Sequence, residues 1–292
     1  MTHFKVLLIS ILLYLPLCTT AQDTFPLPDV PTTLKGVEVR ANYLALHYWD
    51  KFDFSDNTLI GNKDVTEQGF SNFISIMPYV SEKEAAFGSL AAKMVSNSRM
   101  LQYFMALGVK YLSEPMSPLY NEELYIMFLQ RIVAQQGISE RDYEDAKFDL
   151  SMAMKNCIGT KAANFSYLKR DGKRSELTKT KGEYILLFMG DPDCDICSVT
   201  KEEIVSNAVL KKYIDSGTLT VLSVCVEGKT DMWEQTPAPA KWIDACDDKQ
   251  VIYEKLLYDI PGLPILYVLD KEHNVIMKNV QVSHIAEFFI NK

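Results

Sequence analysis

Tyr184–Cys197, Y-I-L-L-F-M-G-D-P-D-C-D-I-C, is the most informative stretch of this chain. Its apolar run, with Leu186, Leu187 and Phe188 at the centre, reads as a buried strand. Gly190, Asp191 and Pro192 break the run, and Cys194-Asp195-Ile196-Cys197 falls where a helix would begin. A helix start offers unpaired N–H groups and the positive end of the helix dipole, and both stabilise a thiolate. The second cysteine is three residues on, close enough to the first to close a disulfide. The pattern is that of a redox dithiol.

Downstream and just upstream of this stretch the elements are short. Phe165–Leu168, an Asp171-Gly172 turn and Arg174–Leu177 predict a hairpin. Thr218–Val226 is a second β-branched strand. A loop with Pro237 and Pro239 leads to Trp242 and then to a helix over Val251–Tyr258. Ile265–Leu269 and Val275–Asn279 form a hairpin around an Asp270–Asn274 turn, and Ser283–Ile290 is the last helix. The predicted order is β-β-β-α-β-α-β-β-α, an α/β sheet domain over residues 157–292 with an antiparallel edge. Pro264 sits immediately before a strand, where it does not interrupt a ladder.

Residues 34–156 have a different texture. Val37, Ala41, Leu44 and Tyr48 fall at helical spacing, as do Phe87, Leu90, Ala91 and Met94, and then Leu101, Phe104, Met105 and Leu112. Ser81 with Glu84, and Ser139 with Asp142, have the form of capping boxes. Five or six helices without a repeat period predict a bundle. Its Met and aromatic residues, among them Tyr103, Phe104, Met105, Tyr125, Met127 and Phe128, are expected in its core rather than around a ligand. His47 reads as structural and the acidic segment 140–149 as a solvated helix face. Residues 22–33, with Pro26, Pro28 and Pro31, read as an extended linker.

The first 21 residues resemble an address rather than a fold. Lys5, an apolar run Val6–Leu17 too short to span a bilayer, and small residues up to Ala21 predict a secretory signal peptide cleaved after Ala21. The competing reading is lipidation at Cys18, where Leu17 is bulky for such a site. The whole chain of 292 residues carries a net charge of −8, and cleavage removes one lysine and no acid. That acidity argues against nucleic acid, and against a membrane surface unless Cys18 is lipidated. Export to the periplasm places the remaining five cysteines in an oxidising compartment, and their odd number leaves at least one thiol unpaired. A Cys225–Cys246 bridge stays open at this stage, and Cys157 has no evident mate.

Residues 157–292 resemble the exported thioredoxin-like thiol–disulfide oxidoreductases of the TlpA/ResA type. The likeness rests on strand-then-Cys194-x-x-Cys197, on I-P-G-L-P-I-L-Y-V-L-D around Pro264, and on the Gly159–Phe165 lead-in, with Trp242 and Asp244 fitting as well. The preceding half, with M-V-S-N-S-R-M-L-Q-Y-F and S-P-L-Y-N-E-E-L-Y, resembles a helical domain of unknown function found ahead of such domains in Gram-negative cell-envelope proteins. The resemblance implies a helical bundle followed by a thioredoxin fold. Cys194 would be the attacking thiol, Cys197 the resolving one, and Pro264 a cis proline against them. Leu263 would offer its backbone to substrate beside Asp193. It also implies cysteine-containing envelope proteins or peptides as partners, a membrane reductase as electron donor, and no cofactor. This chain departs from the family pattern in having Asp193 where an aromatic residue is usual, and no acid in the strand. Asp191, Asp193 and Asp195 disfavour a thiolate, so a relatively reducing pair is expected. The rival expectation is a redox-silent binding module whose helical domain recognises a partner.

Overall fold

The computed structural model describes residues 24–292; the signal-peptide and Cys18 expectations lie outside them. Six α-helices make up the first half among the described residues: α1 Val37–His47, α2 Gln68–Ile76, α3 Lys83–Met94, α4 Ser98–Gly108, α5 Glu122–Val133 and α6 Glu140–Ala153. Asn97, Asn121 and Ser139 cap α4, α5 and α6 with their side-chain oxygens. The expected box at Ser81 is not made. Helix α3 starts one residue later than Ser81 would require, and the Ser81 hydroxyl instead accepts from Asn42 Nδ2 across the bundle.

The bundle core is aromatic. Trp49, Phe70, Phe73, Phe87, Phe104 and Phe128 are fully buried, and Tyr125 and Met105 nearly so, as the pattern required. Two expectations need correction. Residues 24–33 carry no regular structure, yet Phe25 stacks on Tyr48 at 4.8 Å and meets Trp49 edge-on at 5.0 Å. It lies so close to Gly69 that a Cβ there would sit 2.3 Å from its ring, so the segment is an arm tied to the bundle. The acidic face of α6 is not wholly solvated either. Asp142 is buried, its carboxylate accepting from the Ser139 hydroxyl and from Gln102 Nε2.

The second half is one seven-stranded sheet in the order β2-β1-β5-β4-β3-β6-β7. Its strands are β1 Ser166–Lys169, β2 Arg174–Glu176, β3 Tyr184–Gly190, β4 Leu219–Cys225, β5 Ile243–Cys246, β6 Ile265–Asp270 and β7 Val275–Lys278. β3, β4 and β5 run parallel, and the β1–β2 and β6–β7 hairpins add antiparallel edges. β3 is covered on both faces, which is why it reads as a continuous apolar run. Ile185, Leu187 and Met189 face one core, and Leu186 and Phe188 the other, under α7 Asp195–Ser206 and α11 Val282–Ile290.

Four elements differ from the sequence expectation. Helix α7 does not run on alone: Asn207 ends it and caps α8 Ala208–Asp215, so two helices meet at one residue. The loop after β4 contains α9 Asp231–Gln235. Strand β5 was unexpected because it is four residues long and carries Asp244, a poor strand former. Helix α10, Val251–Glu254, is shorter than predicted.

The halves meet around Lys278, which is buried at the end of β7. Its ammonium donates to Ala153 O and Lys155 O, both at 2.7 Å, and pairs with Glu122. Tyr120 Oη donates to Lys278 O, Gln281 Nε2 to Pro115 O, and Asn156 Nδ2 to Leu257 O. Burial holds the Glu122 and Asp259 carboxyls above the usual carboxylate range, and the Lys278 charge opposes this without cancelling it.

Candidate active site

Strand β3 ends at Gly190, and the Asp191–Asp193 turn carries the chain into α7. Asp193 N–H donates to Asp191 Oδ1 at 3.1 Å and Cys194 N–H to Asp191 O at 3.2 Å, closing the turn. Cys194 is then the N-cap of α7, and its sulfur accepts from Cys197 N–H at 3.1 Å. A thiol or thiolate here takes the place of the usual Ser, Thr or Asp cap and meets the positive end of the helix.

The two cysteines differ in environment. Cys194 is partly exposed, whereas Cys197 has no accessible surface. Burial first, and then the neighbouring Cys194, raise the Cys197 thiol well above its ordinary range. Gly190 makes room for it: a Cβ at Gly190 would lie 3.2 Å from Cys197 Sγ and 2.6 Å from the Phe188 ring. Lys201, one helical turn beyond Cys197, is a cation that opposes the rise. Its role was missed in sequence, although the i,i+4 spacing from Cys197 placed it on the same face.

The proline loop closes the site. The Leu263–Pro264 peptide is cis, and Leu263 O lies 3.8 Å from Cys194 Sγ. Pro261, Gly262 and Leu263 take part in no backbone–backbone hydrogen bond among the described residues. Cys194, Cys197, Leu263 and Pro264 are thus brought together. Asp193, next to Cys194 in the chain, is exposed.

No carboxylate projects from β3. Asp244 lines the small cavity behind the dithiol with Gly190, Lys201, Cys225 and Trp233. Its oxygens are engaged by Arg170 Nε at 2.6 Å, Trp233 Nε1 at 3.0 Å and Ala238 N–H at 2.9 Å. It therefore locks the β5 edge. Cys225 and Cys246 face each other across β4 and β5, both buried and both free thiols. Burial pushes them up to about 11 and about 12 respectively.

A sheet with this strand order, a Cys-x-x-Cys at the helix after its central strand and a cis proline opposite define a thioredoxin-fold protein. The chain belongs to the thioredoxin-like family. A thioredoxin-like protein from Bacteroides caccae is 33% identical to it with a TM-score of 0.79, covering 92% of this chain and 99% of that one. The C-terminal domain of an uncharacterized protein from Bacteroides fragilis is 31% identical over 46% of this chain and 98% of its own, with a TM-score of 0.45. The thioredoxin domain of a thiol-disulfide oxidoreductase from Bacteroides vulgatus is 18% identical over 46% of this chain and 96% of its own, with a TM-score of 0.40. Residues 14–156 match the family model described as a domain of unknown function (DUF5106). No curated protein matches the chain.

Proposed function

We propose that the protein is a thiol–disulfide oxidoreductase acting on cysteine-containing proteins of the cell envelope, with Cys194 as nucleophile and Cys197 as resolving thiol. One observation carries this reading: a partly exposed sulfur capping a helix, hydrogen-bonded by the N–H of a fully buried cysteine and 3.8 Å from Leu263 O, in a loop that makes no backbone–backbone hydrogen bond. Cys194, as thiolate, attacks one sulfur of a substrate disulfide and expels the other as a thiolate, giving a mixed disulfide. Cys197 then loses its proton, attacks Cys194 Sγ and expels the second substrate thiolate. The substrate gains two electrons, and the protein is left as the Cys194–Cys197 disulfide, to be reduced again by a dithiol donor such as a membrane reductase. Leu263 would pair with the substrate backbone, Pro264 would shape the gap and Asp193 would line its rim.

The reducing direction rests on Asp191, Asp193 and Asp195 around the sulfur and on the buried Cys197 thiol, each of which weakens the reduced thiolate form. The periplasmic location rests on Lys5 and the apolar run Val6–Leu17. The test is the reduction potential of the mature protein with Cys194→Ser as control. A reversible couple toward the reducing end of roughly −270 to −120 mV, absent from the variant, is expected. A pair that never exchanges with a dithiol buffer would instead leave a binding module.

A further inference from the structure

A cavity of about 560 Å³ opens beside the dithiol, between the two halves of the molecule. Its base is the proline loop, including Leu263, and one wall is the face of α7 that carries Ile196 and Glu203. The opposite wall comes from the helical half, residues 109–116, ending in Met116. Met116 is 78% exposed and Ile196 66% exposed, so two large apolar side chains lining one gap are left to water. That wall is held in place: Pro115 O accepts from Gln281 Nε2 at 2.8 Å, and the Lys278–Glu122 pair lies behind it. Glu114 and Glu203 line the same gap without an ion-pair partner among the described residues.

We infer that this gap is a substrate groove, in which segment 109–116 of the helical half selects an extended apolar polypeptide flanked by Lys or Arg. Three observations fix the occupant. The groove is continuous with Pro261–Leu263, a segment that makes no backbone–backbone hydrogen bond, with Leu263 O met by Cys194 Sγ at 3.8 Å, and so suits an added strand. Its lining is mainly apolar, which suits side chains next to a cystine rather than a charged solute. Its two free carboxylates sit on opposite walls and favour cationic flanks, in a chain of net charge −8. The inference rests on the redox reading only for what becomes of the bound chain; binding itself requires no sulfur chemistry.

The test therefore measures binding without exchange. A fluorescent synthetic peptide with a leucine-rich centre, lysine flanks and Ser in place of Cys is titrated with the full chain by anisotropy. Met116→Asp should weaken its binding at least about tenfold, and exchanging the lysines for glutamates should do the same. Met116 is largely exposed, so this replacement leaves the core alone. Unchanged affinity in Met116→Asp, or equal affinity for the glutamate-flanked peptide, would overturn the inference. So would displacement of the peptide by a long-chain fatty acid at equal or lower concentration, or self-association of the protein through Met116. In parallel, a wild-type protein that cannot reduce a small aromatic disulfide but still binds the peptide would refute the redox reading alone.

Discussion

Five cysteines in the described chain differ in reactivity because each has its own burial. Cys194 and Cys157 are partly exposed, but only Cys194 sits at a helix start, burial raising the Cys157 thiol; Cys197, Cys225 and Cys246 are buried with thiols held high. A raised thiol stays protonated, and so unreactive, until the pH climbs toward its folded value. Under reducing conditions near neutral pH, iodoacetamide followed by peptide mapping should label Cys194 first. Cys197, Cys225 and Cys246 should appear only after denaturation or in strongly alkaline solution. Equal labelling of Cys194 and Cys197 in the native state would contradict the asymmetry. Gly190 belongs to the same arrangement, since the space a side chain would need there is taken by Phe188 and the Cys197 sulfur.

Elements, more than single residues, separate what the sequence shows from what it hides. β3 and the turn before α7 are legible because burial on both faces and three consecutive breaking residues are local signals. β5 is not, because the reason for Asp244 in a strand is remote: Arg170 after β1, Trp233 in α9 and Ala238 in the loop between α9 and β5 all converge on it. Arg170 also lies over the Trp233 ring at 4.4 Å. Replacing Asp244 by Ala strips these donors of their shared acceptor and should cost roughly 2–3 kcal/mol in urea unfolding. If stability holds within half of that, Asp244 does not lock the edge and a role near the dithiol becomes the better account. Cys225–Cys246 shows the same limit, since only the β4–β5 register reveals that the two thiols are neighbours.

On the scale of the whole molecule, the decisive contact is the joint between the halves. Lys278→Met leaves Glu122 and two carbonyl groups without their cation and should destabilise the protein by about 3 kcal/mol, in part recovered by adding Glu122→Gln. The sign of the pH effect follows from the carboxyls. Glu122 and Asp259 are held above the usual range, so the folded chain keeps protons there that the unfolded chain has released. Their contribution is therefore fullest at acid pH and is lost as pH rises through their folded values. Unfolding midpoints between about pH 4 and 7 should show this slope, and Glu122→Gln should flatten it. That Pro264 faces the dithiol was implied by the family resemblance, whereas the amino-acid sequence by itself determined the helical first half, the sheet that follows and the dithiol at a helix start. Each of these is written in local patterns of burial, capping and chain-breaking residues. Only the tertiary structure decided that Phe25 is part of the bundle, that Asp244 and the two buried thiols share one face, and that Met116 and Ile196 line one groove. Those facts join residues between about twenty and eighty positions apart, and no local pattern records which distant surfaces packing will bring together.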